Sequence, residues 1–355
     1  MLALQIFLLA GHLLNMNLAA VGPLAAVVLQ WFSTGRDEIR QLGQKIAAWS
    51  LVCMLTGMML GLADGIIMWI AGEDRFFQAV QRVPSKIYFG AWELGFYVFC
   101  MAIYLIWWRL RPPQGKFAHV VMSLVGIAAA TNLLWHFPAL MTVIAYLARH
   151  EPTGPAIDAS GFRALMFTEQ IMSRWLHVWM ASFATTGLLV SGAALGMRAT
   201  PAKDNSDETS GSSLARVCAW GGRVALVATV LQLPIGIWLL TSSPTSEQSR
   251  LMGGDWLVTG MFVISMFLAL GLMHHLAGIA MGNATRRGVH VAWSLLLLVI
   301  IFMSATLVLA RGDAFESETS SRSQTVPTAK SAVTTVTADT DISFPGGSHP
   351  MVASI

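Results

Sequence analysis

The sequence predicts an all-α fold: a polytopic membrane bundle of about eight transmembrane helices over residues 1–311, then a disordered tail over 312–355. Three observations carry this expectation. Of 355 residues, 55% are hydrophobic and only 12% charged, where a soluble globular chain carries about 25% charged residues. Eight apolar runs are long enough to cross a bilayer, which takes about 20 helical residues. After Arg311 the apolar periodicity stops and Ser, Thr, Ala, Val and Asp take over, a composition with too little apolar surface to order itself.

The runs follow in order. The first, 3–32, contains His12 and Pro23 and opens with no basic region or small-residue cleavage site, so it is expected to remain as a helix. The second, 45–72, carries Asp64 near its end, and the third, 86–108, carries Glu93 and closes on Trp107 and Trp108, residues that suit a membrane interface. In the fourth, 117–147, His136 precedes Phe137 and Pro138. The fifth, 170–197, holds the tryptophan-rich stretch SRWLHVWMAS with His177 at its centre. The sixth, 217–242, includes Pro234; the seventh, 255–282, opens on DWLVTGM with Met261; the eighth is 289–310. Prolines inside three of these runs kink a helix and free a carbonyl.

Basic residues orient the bundle. Connections after the first, third, fifth and seventh runs carry Arg36, Arg40, Lys45, Arg109, Arg111, Lys116, Arg198, Lys203, Arg216, Arg223, Arg286 and Arg287, against Arg75, Arg82, Lys86, Arg149, Arg163, Arg174 and Arg250 on the other side. The positive-inside rule then places the N-terminus and the tail outside. A formal charge of +3, dispersed along the chain, gives no footprint for nucleic acid. Cys53, Cys100 and Cys218 form no CxxC or CxxCH, which argues against iron–sulfur ligation, covalent haem and a disulfide framework.

With this orientation, sequence position becomes depth. At 1.5 Å per residue, His177, Met261, Glu93, His12, Asp64 and His136 lie about 10, 9, 10, 14, 12 and 16 Å from the outer ends of their helices. Ionisable residues inside a bilayer are costly and mark an interior, a partner or a cavity. A layer of imidazole, thioether and carboxylate suits haem iron, whose axial ligands are His and Met, or a proton or ion path. Zinc fits less well, because no HxxxH or HxxE spacing appears. Against both stands the plain reading of each histidine as an interhelical hydrogen-bonder and of each methionine as core filler. His119, His274, His275 and His290 gather near the inner interface, where snorkelling or lipid-headgroup contact accounts for them at least as well as a second cofactor would.

Four stretches resemble subunit I of the cytochrome bd quinol oxidases. GHLLNMNLAAVGPLAAVVLQW resembles that family's first helix, whose haem-ligating histidine falls on His12. RWLHVWMASFATTGLLVSGAALGM is similar to its K-F-V-H-T-x-A-S-x-Y-x-T-G segment, which puts His177 on the low-spin haem b ligand. DWLVTGM keeps the Trp-to-Met spacing that makes Met261 the second ligand, and WWRLRPPQGKFAHVV resembles the connection ending at His119. The likeness spans roughly residues 5–310. It implies a bacterial inner-membrane protein of the respiratory chain that binds one haem b through His177 and Met261. A second haem would sit at His12. His136 has no counterpart in the family; its place beside a proline kink makes it a candidate substitute ligand, with a capped or hydrogen-bonded core histidine as the plainer reading.

The departures are equally specific. The long quinol-binding loop shrinks to TSSPTSEQSRLMGGDW, with Glu247 and Gln248 as its echo; the arginine two residues before the Met ligand is Thr259; the second-helix glutamate aligns with Gly61. The last run has no acid where the family ligates its high-spin haem, which leaves haem d and quinol-dependent oxygen reduction without their family support. The resulting expectation is a b-type cytochrome in electron transfer, with a second membrane subunit or another redox partner, and quinol as the family's donor. Glu93 and Asp64 are its candidates for proton delivery. The alternatives are a haem-binding sensor or assembly protein without turnover, and a proton- or ion-coupled carrier.

Overall fold

A computed structural model of the chain describes residues 1–110, 115–198 and 207–325, with the backbone alone for 207–210 and 310–325. Among these residues every regular element is a helix: α1 Leu2–Phe32, α2 Asp37–Ile70, α3 Asp74–Gln81, α4 Pro84–Leu110, α5 Gly115–His150, α6 Ala159–Met166, α7 Glu169–Arg198, α8 Asp207–Ser242, α9 Thr245–Ser249, α10 Trp256–Ala280 and α11 Arg286–Thr325. A single π turn, Arg250–Gly254, follows α9. Eight of these helices are long and apolar enough to span a bilayer: α1, α2, α4, α5, α7, α8, α10 and the Arg286–Leu309 part of α11. The expected all-α membrane bundle is thus the observed fold.

Contacts divide the chain into Met1–Ala314, the bundle described below, and a unit from Phe315 onward. Of the expected tail, residues 326–355 lie outside the described residues.

Successive spans alternate in direction, so the bundle has an N-terminal face, where α1 begins, and an opposite face. α2 begins at Asp37, earlier than its apolar run, because the amphipathic stretch DEIRQLGQK continues the helix beyond the lipid edge with Asp37 and Glu38 in the first turn. That placement suits the positive end of the helix dipole. The short α3 and α6 cover the N-terminal face. They pack on α5, and α6 also on α7, through a second core that includes Val83, Ile144, Phe162 and Trp175.

α1 and α7 are the most enclosed spans, and each has one dominant partner: α2 for α1, α8 for α7. Lipid supplies no hydrophobic drive between helices, so close packing of small residues must hold these seams. A Cβ on Gly187 of α7 would stand 2.6 Å from the Gly221 carbonyl of α8, and one on Gly221 would meet the Gly187 carbonyl at the same distance. Backbone therefore touches backbone. At Gly22 of α1 the neighbour is a side chain instead: a Cβ there would collide with the Ser50 hydroxyl of α2.

The polar residues inside the bundle are mostly bonded along or across the seams. Ser182, Thr185 and Ser191 of α7 donate back to the carbonyls of Val178, Ala181 and Gly187, and Ser182 also donates to Asn17 Oδ1 of α1 at 2.9 Å. Toward the opposite face, Tyr104 donates to Gln30 Oε1 at 2.9 Å, and Gln30 Nε2 lies 3.1 Å from His119 Nδ1. His119 is thereby part of an interhelical network rather than a snorkelling side chain.

Candidate functional site

His177 sits on α7 between two indoles that fix how the helix faces. Trp175 and Trp179 pack on each other at 4.8 Å and on Trp135 of α5 at 5.7 and 6.3 Å, and Trp179 Nε1 donates to the Leu134 carbonyl at 2.7 Å. Two residues correspond to about 200° around an α-helix, so pinning both indoles on α5 turns His177 away from α5 and toward α8. There it meets Gly236, where a Cβ would lie 3.9 Å from His177 Cε1 and 4.0 Å from Nδ1, with no closer atom. Nδ1 is buried and, among the described residues, has no hydrogen-bond partner. Leaving such a group unpaired costs about 1–3 kcal/mol, and a buried imidazole nitrogen in that state is open to a ligand.

Met261 is half-buried on α10, a helix that packs on α8 just as α7 does. Its depth is set by Asp255, whose carboxylate caps α10 by accepting from the N–H groups of Leu257 at 2.9 Å and Val258 at 3.2 Å. Thr259 fastens the same turn: its hydroxyl donates to the Arg250 carbonyl at 2.8 Å and accepts from Gly253 N–H at 3.0 Å.

His12 lies in the α1–α2 seam. Its Nδ1 is 2.8 Å from the Gly57 carbonyl; a carbonyl only accepts, so Nδ1 carries the proton and Nε2 keeps the lone pair. This is the arrangement that orients ligating histidines. A Cβ at Gly61 would fall 2.6 Å from the ring, which gives the glycine at this position its physical reason: the imidazole occupies the space of a side chain. Asp64 stands one turn farther along α2, half-buried.

Glu93 of α4 and His136 of α5 come together, with Oε2 3.7 Å from Nε2 and side-chain exposures of 13% and 8%. That distance is too long for a hydrogen bond. The His136 Nε2–H instead donates to the Lys86 carbonyl at 3.2 Å, and Asn132 Nδ2 donates to the Glu93 carbonyl at 2.7 Å. Phe89 and Phe162 lie against the imidazole, with centroids at 5.3 and 6.4 Å, and Lys86 Nζ sits 5.0 Å over Phe162. The pair is a shielded carboxylate–imidazole contact roofed by α6.

A fifth grouping has no counterpart in the sequence reading. Glu247 of α9 is buried and shared by two guanidiniums, Arg174 at 2.9 Å and Arg149. Gln248 beside it donates to the carbonyls of Thr241 at 3.0 Å and Ser243 at 2.8 Å, closing the end of α8. Glu247 and Gln248, the two residues that echo a quinol-binding loop, are both engaged inside the protein. Only one local signal was available, the acid itself, because its partner Arg174 is 73 residues away.

Of the six residues expected at a common depth, Glu93 and His136 come together, His12 lies against α2 and His177 faces α8. Among the described residues no group of three or more His, Cys, Asp or Glu converges as a metal cluster would.

The arrangement of helices does have a counterpart. The bd oxidase from Geobacillus thermodenitrificans superposes with a TM-score of 0.64 over 87% of this chain and 85% of its own, at 13% sequence identity. The likeness is one of fold. No family model matches the sequence, and no curated protein matches it.

Proposed function

We propose that this chain is an integral membrane b-type cytochrome that passes electrons within a respiratory assembly, built on the bd oxidase fold. The observation that carries the reading is the half-buried imidazole of His177, whose buried Nδ1 has no hydrogen-bond partner among the described residues. It sits in the segment that most resembles a haem-binding helix and at a loose point of the α7–α8 seam. His177 is the haem b ligand in this reading, Met261 its partner, and His12 the ligand of a second haem. The bound haem supplies a reversible one-electron couple, and Met/His ligation sets it higher than two imidazoles would.

The chain's own residues give that couple its setting. Trp175 and Trp179, braced on Trp135, hold α7 in rotation. The Gly57 carbonyl fixes the tautomer of His12. Glu93 and Asp64 are the acids that would hold protons near the N-terminal face, Glu93 beside the imidazole of His136. The N-terminal face is the outer one in this reading, by the distribution of basic residues. Electrons arrive from a second membrane subunit or another redox partner. Direct quinol oxidation and oxygen reduction are not part of the proposal, since Glu247 is held by two arginines and α11 brings no acid to its apolar part.

Difference spectra of the purified full-length protein from haem-replete cells test this. The expected result is a reduced-minus-oxidised α-band of low-spin haem b, lost in His177→Ala and displaced in Met261→Leu, with His12→Ala removing only a second component. A protein that carries no haem, or whose band survives His177→Ala, overturns the proposal.

A further inference from the structure

At the opposite face, the end of α1 and the starts of α2 and α8 border an open cavity of about 220 Å³. Its lining divides by chemistry. Arg36, Arg216 and Ser213 supply cationic and hydroxyl groups, while Phe32, Trp220 and Ile39 form an apolar wall. Phe32 and Trp220 meet edge to face at 6.3 Å across the α1–α8 boundary. Among the described residues Arg36 donates to the Phe32 carbonyl at 3.2 Å and Arg216 to the Ser213 hydroxyl at 3.5 Å. Among the described residues neither guanidinium faces a carboxylate; the nearby Asp37 is taken by Arg40 at 2.8 Å. Two cations thus share the rim of one cavity, with no counter-charge against them among the described residues.

Three properties narrow the occupant. Two guanidiniums in one cavity select an oxyanion, and phosphate above all, because their forked donors match its geometry. The aromatic wall lies where the apolar spans begin, at headgroup depth, and it prefers a ligand with an apolar side. The volume is below the roughly 300–1,000 Å³ of sites that swallow a whole drug-sized ligand, so only part of a larger molecule fits. Below Trp220 the same face of α8 continues through Val227 and Leu231, both exposed, at spacings of seven and eleven residues that keep a helical stripe. A chain descending from the cavity would lie along that stripe.

We propose that this cavity holds the phosphodiester headgroup of an anionic phospholipid, with Arg36 and Arg216 on the phosphate and Phe32 and Trp220 against the start of its acyl chains. Basic pockets between spans are the recognised setting for such headgroups. The site lies at the opposite face from His177, so it stands apart from the cytochrome reading.

Native mass spectrometry of the delipidated full-length protein, titrated with phosphatidylglycerol, phosphatidylcholine or inorganic phosphate, tests it. One phosphatidylglycerol per chain should bind in preference to phosphatidylcholine, and millimolar phosphate should not displace it. Arg36→Gln and Arg216→Gln should each weaken binding about fivefold and together about thirtyfold, while the Arg→Lys pair keeps most of it. Both arginines are exposed on the rim, so helicity measured alongside should stay unchanged. Equal binding of the two lipids, or a double Gln variant that binds like the parent, overturns the proposal. Displacement by phosphate alone makes this a free-anion site and overturns it too.

Discussion

Replacing Glu247 with Gln keeps the shape of the α8–α10 connection and removes the carboxylate that Arg149 and Arg174 share. The three side chains are 10%, 16% and 18% exposed, enclosed enough that their charges are poorly screened. Removing one partner of a buried ion pair costs about 3–5 kcal/mol, and the position of this group at a face of the bundle argues for the lower end, about 3 kcal/mol. Arg174→Gln leaves the Arg149–Glu247 contact standing and deletes one charged hydrogen bond, worth about 1.5–3 kcal/mol. Glu247→Gln should therefore be the more damaging change. The double variant should cost less than the sum, by about 1–3 kcal/mol, because the second substitution removes a charge that the first left exposed to its neighbour. Equilibrium unfolding in mixed micelles measures all three. Strict additivity, or a Glu247→Gln cost below about 1 kcal/mol, would mean that the group behaves like a solvated surface pair and would refute the reasoning.

Two further tests address the seams and the loop. Gly221→Ala places a methyl 2.6 Å from the Gly187 carbonyl and 2.7 Å from Ser191 Oγ; overpacking of this kind costs about 1–3 kcal/mol, whereas Gly65→Ala, with nothing within 4 Å, should gain up to about 1 kcal/mol in helix propensity. The same unfolding assay separates them, and equal effects would dismiss the backbone contact. The Asp255 carboxyl is held below its ordinary value of 3.8 by the Val258 N–H first, then by Arg250. Its capping contribution is complete above that ordinary value and fades as pH falls through the lowered one, so amide exchange at Leu257 and Val258 should quicken only under distinctly acidic conditions. Quickening already near neutrality would contradict the cap.

The apolar runs made the eight spans legible because the bilayer imposes a minimum length that composition must satisfy. What they hid was polar helix. The first turns of α2 lie outside its apolar run, and α3, α6 and α9 are too short and too mixed to register as spans. Depth along each helix was equally readable, and it placed Glu93 and His136 in the same half of the bundle. Their contact was not readable, because it depends on how α4 and α5 rotate about their own axes. For His177 the tryptophans on either side did encode rotation, since two residues along a helix point to the opposite side. Glu247 stayed obscure for the reverse reason: its partners come from the ends of α5 and α7, and nothing local distinguishes it from a solvated loop acid.

The α7–α8 seam has a mechanical consequence. At Gly187 and Gly221 the helices grip backbone to backbone with no slack, while at His177 and Gly236 the nearest approach leaves about a van der Waals radius in hand. A joint that is stiff at one end and compliant at the other bends only about the stiff end. In the proposed reading, a group held beside His177 would be accommodated at this looser end, leaving the close glycine contact at the other end of the seam as it is.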